Sequence, residues 1–157
     1  MRSQDGVQVW MMPGLAHKID VVARVLETNA PDPNDPLDVL RKVGGLEIAG
    51  LVGVILGAAA HRIPVVLDGF ISGASATATR AAAPDVKPYL IAGHSSAESG
   101  HRLQLEQLGL RPLLELDMRL GEGSGAALAF HIVEAAVRTF NETATFYGAG
   151  VSDREAE

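Results

Sequence analysis

The chain has 157 residues, enough for one domain with a sizeable core. Its formal net charge of −6 and its lack of a basic run argue against nucleic acid or an anionic membrane as a partner. It contains no cysteine, which excludes disulfides and thiolate metal sites and is compatible with a cytoplasmic location. Abundant small and aliphatic residues, with 4% aromatics, favour close-packed α/β layers.

The amino-terminal part of the chain predicts an arm followed by two helices. Met1–Pro13 has one arginine and no continuous apolar core, so we interpret it as an irregular arm and not a signal peptide. Gly14–Ala30 carries apolar residues at helical spacing, with Lys18 in its first turns. Asp35–Pro36 is a start signal for a short helix over Leu37–Val43.

Leu46–Ala60 is apolar almost throughout, and Glu47 is its only charged residue. Its uninterrupted apolar run is shorter than the roughly 20 residues that a bilayer span needs. We therefore predict a buried core helix, with a subunit interface as the alternative use of this surface.

From Ile63 onward, the pattern predicts strands that alternate with helices. The strands are expected over Ile63–Leu67, Tyr89–Ala92 and Pro112–Leu116, and the helices over 71–83, 97–108 and 126–140. Such a series is typical of a parallel sheet with right-handed crossovers. We predict a three-layer α/β/α fold with a Rossmann-like sheet, formed by one domain over 14–152 and followed by a tail over 153–157.

A polar cluster follows each predicted strand: Asp68-Gly69, Gly93–Ser96 and Gly121–Gly125. Because ligands of open α/β sheets bind outside the carboxyl ends of the strands, these clusters predict a site at one edge of the sheet.

Simpler interpretations of these clusters stay open. Asp68 could cap the next helix, and Ser95 and Ser96 could be N-cap residues of the helix after them. His94 and His101 have neither i, i+4 spacing nor a third ligand, so we predict no metal site.

The stretch with the most chemical content is R-L-G-E-G-S-G-A-A-L-A, at Arg119–Ala129. Glycines in such a turn let a ligand approach the backbone, and the helix that opens there suits an anion. Glu122 would repel a phosphate, so we interpret it as a group that does chemistry beside the anion. A glycine-rich turn that only allows tight packing is the alternative.

Five stretches together resemble the nicotinate-nucleotide–dimethylbenzimidazole phosphoribosyltransferase family, from about Leu15 to Ser152. In order they are K-V-G-G-L-E-I-A-G-L-V-G, I-P-V-V-L-D-G-F-I-S, S-A-E-S-G-H, M-R-L-G-E-G-S-G-A-A-L-A and N-E-T-A-T-F-Y-G-A-G-V. The resemblance implies transfer of phosphoribose from nicotinate mononucleotide to 5,6-dimethylbenzimidazole, giving α-ribazole phosphate and nicotinate for the lower ligand of cobalamin. The pyridinium is already a cationic leaving group, so neither a metal nor another cofactor is implied.

The resemblance also implies roles for three residues. Glu122 would be the base for the azole N–H, while Lys18 and Ser96 would hold the phosphate. We predict further substrate-binding positions at Asp68, Arg119, Leu120, Gly121 and Gly123.

The chain departs from the family in one large respect. Family members are much longer, and the Gly-Glu-Met-Gly-Ile-Gly-Asn-Thr-Thr motif of their first half is absent here. We therefore expect the carboxyl half of such an enzyme: a split gene product, a truncated form or a degenerate relative. Its expected partners are nicotinate mononucleotide, a benzimidazole base and either a second copy or a separately encoded amino-terminal half. The alternative function is an inactive nucleotide-binding or oligomerisation module.

Overall fold

The computed structural model describes the backbone of residues 5–151 and the side chains of residues 14–151, and it is α/β and mainly helical. The helices are α1 Asp5–Asn29, α2 Pro36–Val39, α3 Leu46–Ala60, α4 Phe70–Ala82, α5 Ser99–Leu108 and α6 Ser124–Glu142. The strands are β1 Val65–Leu67 and β2 Leu90–Ala92. A π-helical turn, Leu40–Gly44, continues α2, and a 3₁₀ helix, Pro84–Tyr89, leads into β2.

The two strands form a small parallel sheet, in which Val65 lies opposite Leu90 and Leu67 opposite Ala92. This confirms an α/β fold with a parallel sheet, and α4 lies in the connection between the strands.

The predicted third strand, Pro112–Leu116, is wrong as a regular strand. The chain pairs with the segment after β2 through a single bridge, between His94 and Leu114. The N–H of Leu113 donates to the carbonyl of Ala92 at 2.9 Å, and the N–H of Ser95 donates to that of Leu114 at 2.8 Å. Pro112 has no N–H to donate, which limits the pairing on that side.

The amino-terminal prediction needs a correction, because α1 begins at Asp5 and not at Gly14. Val7–Met12 contains neither glycine nor proline, and glutamine and methionine favour helix, so this part of the expected irregular arm is helical. The first four residues lie outside the described residues, and so does the predicted tail 153–157.

The start of α2 is where the sequence predicts it. The Asp35 carboxylate accepts hydrogen bonds from the N–H groups of Leu37, at 3.0 Å, and Asp38, at 3.1 Å, while Pro36 occupies the first helical position. The first N–H groups of a helix have no acceptor within the helix. A side-chain acceptor before the helix satisfies them, and a proline in the first position has no N–H that needs one.

The hydrophobic core is formed by the two strands together with α3, α4, the 3₁₀ helix and α5. Its buried members are Ile55, Leu67, Ala76, Val86, Leu90 and Leu108. Burying a valine, leucine or isoleucine side chain stabilises the fold by roughly 1.5–3 kcal/mol.

The predicted burial of α3 is only partly correct. Helix α3 has the predicted bounds and buries Val52 and Ile55, but Leu46 is 93% exposed. One face of α3 packs against α4, and the opposite face lies at the surface of the described chain. Strand β1 is half-buried at Val65 and Val66, because the sheet is only two strands wide in the described residues. None of the described helices combines the length and hydrophobicity required to cross a bilayer.

Candidate active site

A cavity of about 680 Å³ lies at the carboxyl end of β1. It is bounded by α3, by the start of α4 and by the glycine turn before α6. This volume falls in the range of roughly 300–1,000 Å³ that small-molecule sites occupy, and its position is the one where ligands of parallel sheets bind.

Seven of the eight sequence-predicted site residues line this one cavity: Asp68, Ser96, Arg119, Leu120, Gly121, Glu122 and Gly123. The polar groups after β1, after β2 and before α6 are therefore brought together. Lys18 is the exception, since it lies on α1 beside Ile19, Val22 and Leu26, along a separate apolar hollow.

Asp68 caps a helix, but not the helix that follows it. Its carboxylate accepts hydrogen bonds from the N–H groups of Gly123, at 3.3 Å, and Ala126, at 3.1 Å, both at the start of α6. These N–H groups are among those that would otherwise be available to an anionic ligand. Asp68 therefore ties the end of β1 to the glycine turn and fixes the turn's position.

Glu122 lies in that turn, exposed to solvent at the cavity. Its backbone has φ +60°, in the left-handed region that few residues other than glycine adopt, and the next residue, Gly123, has φ +82°. The Ser124 hydroxyl donates to the carbonyl of Gly121 at 2.9 Å and closes the turn from the other side. The backbone of the turn is thus fixed, and the carboxylate that it carries at the cavity can accept a proton from a substrate there.

Ser96 lies in the turn between β2 and α5. Its N–H donates to Nδ1 of His101 at 2.9 Å, and its hydroxyl oxygen accepts from the N–H of Glu98 at 3.2 Å. The interpretation of Ser95 and Ser96 as N-cap residues is wrong, because α5 begins at Ser99 with Glu98 at the N-cap. The bond from the Ser96 N–H to His101 closes a turn that precedes the helix.

Two buried histidines, to which the sequence pattern assigns no role, lie behind these turns. His94 is 1% exposed and His101 is 0% exposed, with ring centroids 6.1 Å apart. Nε2 of His94 lies 3.6 Å from Oδ1 of Asp68, and the ring packs on Gly125, where a Cβ atom would overlap it. The signal in the sequence is weak: each histidine follows a glycine, and nothing there distinguishes a buried histidine from a surface one.

The pKa of His101 lies below its ordinary value. Burial of the imidazole is the main cause, the nearby His94 adds to it, and the carboxylate of Asp68 opposes it. His101 is therefore neutral near neutral pH, as an Nδ1 that accepts a hydrogen bond must be.

Helix α3 also contributes to the cavity, through Glu47, Leu51 and Val54, which are not among the predicted site residues. The one available signal was that Glu47 is the single charge of an apolar helix. At the mouth, Arg119 lies 3.7 Å from Glu98, but both side chains are mostly exposed, so this ion pair adds little stability and leaves the guanidinium able to contact a ligand.

The cavity and its lining are of the kind that a transferase acting on a small molecule needs, and a family model described as phosphoribosyltransferase matches residues 10–151. This match places the chain in the phosphoribosyltransferase class. The chain is 62% identical over 138 residues to the nicotinate-nucleotide–dimethylbenzimidazole phosphoribosyltransferase of Desulforamulus reducens, covering 88% of this chain and 39% of that protein. It is 60% identical over 139 residues to the enzyme of the same name from Desulforudis audaxviator, with the same coverage. The chain belongs to the nicotinate-nucleotide–dimethylbenzimidazole phosphoribosyltransferase family.

A solved structure agrees with the sequence comparisons. The crystal structure of the Thermus thermophilus nicotinate-nucleotide–dimethylbenzimidazole phosphoribosyltransferase matches with a TM-score of 0.82 and 47% identity, over 90% of this chain and 42% of that one. The chain thus spans about two fifths of the length of the relatives that it matches.

Proposed function

We propose that this chain supplies the Glu122 side of an active site that transfers phosphoribose from nicotinate mononucleotide to 5,6-dimethylbenzimidazole. The observation that carries the proposal is that Glu122 and Ser96 line one cavity in a chain so similar to enzymes of that name. One nitrogen of the benzimidazole attacks C1′ of the ribose, and the bond from C1′ to the nicotinate nitrogen breaks. The bonding pair leaves with nicotinate, and Glu122 accepts the proton of the azole N–H.

The charges that line the cavity indicate that the site needs cationic groups from outside this chain. The described lining carries four carboxylates, those of Glu47, Asp68, Glu98 and Glu122, against the single guanidinium of Arg119. A nucleotide phosphate in such a cavity would be repelled unless further cations entered it. Within this proposal Arg119 and the Ser96 hydroxyl contact anionic parts of the substrate, and Asp68 serves by holding the glycine turn.

Lys18 is the cation that the family resemblance assigns to the phosphate, and it lies outside the cavity of its own chain. Around it, α1 exposes Leu15, Ile19, Val22 and Leu26. We propose that this surface packs against another polypeptide, either a second copy or a separately encoded amino-terminal half, and that Lys18 contributes to a site completed there. The same association would complete a three-layer, Rossmann-like arrangement around the two strands, in a cytoplasmic enzyme.

The test is to assay α-ribazole phosphate formation from nicotinate mononucleotide and 5,6-dimethylbenzimidazole by mass spectrometry. We expect little or no product from the purified chain and restored turnover after addition of the amino-terminal half of a close relative. Positioning of the reactants is what the second half supplies, and positioning accounts for much of such a rate enhancement. An inactive mixture in which light scattering shows a stable complex would refute the proposal and indicate a binding or oligomerisation module.

A further inference from the structure

A hydrogen bond from a backbone donor to a buried histidine controls the turn that contains Ser96. The Ser96 N–H donates to Nδ1 of His101 at 2.9 Å, and His101 is 0% exposed. Because an N–H is the donor, Nδ1 must carry no proton, and the neutral ring keeps its proton on Nε2. No protein acceptor for Nε2 is found in the described part of the chain.

Among the described residues, His94 and Asp68 are the titratable groups that act on the His101 ring. His94 approaches it from the segment after β2, and Asp68 acts on it from the end of β1. Helix α4 presents Gly73, whose absent side chain leaves room for the ring, since a Cβ there would lie 3.1 Å from Cδ2 of His101. The imidazole therefore fits its space closely, and its one hydrogen bond within the described part of the chain is the one from Ser96.

We propose that His101 is a positioning residue, whose unprotonated Nδ1 holds the Ser96 turn so that the Ser96 hydroxyl lies at the cavity and can bind an anionic group of the substrate. The inference rests on the proposed function for the identity of that substrate. Ser96 does line the cavity, and its hydroxyl oxygen already accepts from Glu98, so its O–H is the part that can donate to a ligand.

Protonation of His101 would reverse this contact. An imidazolium carries a proton on Nδ1, which would then face the Ser96 N–H, donor against donor, so the turn would open. Substrate binding would weaken as His101 takes up a proton. Loss of one hydrogen bond of this kind corresponds to roughly a threefold to tenfold loss of affinity.

The first experiment follows the amide signal of Ser96 in the full chain by ¹⁵N–¹H NMR as the pH is lowered. We expect this signal to shift in step with protonation of the His101 imidazole. In His101→Asn the amide oxygen of asparagine takes the place of Nδ1 without titrating, so the Ser96 signal should stay constant. His61→Asn, at an exposed histidine after α3, should behave as the unmodified chain. A Ser96 amide that ignores the His101 titration would overturn the inference, and this result needs no variant.

The second experiment measures the affinity for nicotinate mononucleotide by calorimetry, with the amino-terminal half present. The phosphate of the substrate also takes up a proton at about pH 6, which weakens binding to every variant. We therefore expect the affinity of the unmodified protein to fall more at acidic pH than that of His101→Asn, and that of His101→Leu to be low at every pH. Equal losses of affinity in the unmodified protein and in His101→Asn would overturn the positioning role. Absence of nucleotide binding at any pH would instead refute the proposed function, while the amide titration still decides whether His101 holds the turn.

Discussion

The carboxylate of Asp68 accepts a hydrogen bond from the N–H of Ala126, 58 residues further along the chain, at 3.1 Å. This contact joins the end of the first strand to the first turn of the last described helix. A second bond, from Gly123, anchors the residue next to Glu122. The position of the proposed catalytic carboxylate therefore depends on a carboxylate that need not touch the substrate.

Replacement of Asp68 by alanine should lower the free energy of unfolding by about 0.5–2 kcal/mol, because two N–H groups at the start of α6 lose their acceptor. Asp68→Asn, which keeps one carbonyl oxygen, should lose less. Urea denaturation measures both variants, and Asp85→Ala, at an exposed acid of the 3₁₀ helix, is the control. If Asp68→Ala and Asp85→Ala were equally stable, the cap would contribute nothing.

Two glycine-to-alanine substitutions should have opposite effects on stability. Gly125→Ala places a methyl group into the buried His94 ring and should destabilise the protein by about 1–3 kcal/mol. Gly53→Ala, at an exposed position in the middle of α3 with no atom close to the new methyl, should stabilise it by about 0.5–1 kcal/mol. Thermal or urea denaturation compares them, and a tolerated Gly125→Ala would show that His94 can move aside.

The stability of the fold should decrease with acidification because of His101. Its pKa in the folded protein lies below the ordinary value, so the unfolded chain binds the proton first as the pH falls. The free energy of unfolding should therefore decrease from about pH 6.5 downward, until the folded protein also binds the proton, and be insensitive to this group at higher pH. Urea midpoints for the unmodified chain and for His101→Asn give the comparison, with His61→Asn as control. If the free energy of unfolding of His101→Asn changed with pH as steeply as that of the unmodified chain, the pH dependence would come from other groups.

Glu122→Gln keeps the shape of the side chain and removes its basicity. In the complex with the amino-terminal half, kcat should fall by roughly 10²–10⁴, and the affinity for nicotinate mononucleotide should change little. Glu134→Gln, at an exposed acid of α6 that pairs with Arg138, is the matched control. Were the rate and its dependence on acidic pH to survive in Glu122→Gln, Glu122 would be a turn residue only.

Lys18→Ala should weaken nucleotide binding more than Ser96→Ala, and the loss should shrink as salt is raised, because a point charge is screened and a hydroxyl is not. The effect should appear only when the chain is associated, since Lys18 lies outside the cavity of its own chain. Calorimetry with and without the amino-terminal half separates the cases. Unchanged affinity in the associated form would make Lys18 an ordinary surface residue.

Local patterns predicted much of this fold, and contacts between distant segments account for most of the differences. Helix α3 has the predicted bounds, because Gly44 and Gly45 precede it and the spacing of apolar residues changes from helical to strand-like at Ile63. The reduction of the predicted third strand to a single bridge was not predictable, since its pairing depends on how far the segment after β2 stays beside it. The convergence of polar clusters could be predicted from strand order alone.

The partners within the site were harder to predict. Asp68 looks like a cap in the sequence, but the helix that it caps begins 56 residues later, and no local pattern connects the two. The burial of His94 and His101 depends on glycines of other elements, Gly125 and Gly73, which leave room for the rings. Such spaces appear only when the elements are packed together.

Helix α6 is held to the rest of the described chain by few buried residues, so association with a partner should affect how long the site stays intact. Beyond its first turns, the helix buries only Ala129, whereas Phe130, Val137 and Phe140 lie exposed. Detachment of α6 would carry Glu122 away while the paired strands and α3–α5 stay folded, so this local opening costs less free energy than global unfolding. A polypeptide that covers α6 would suppress the opening by mass action, in proportion to its concentration and affinity. Amide hydrogen exchange in α6 would then slow as this partner is added, before any substrate is present.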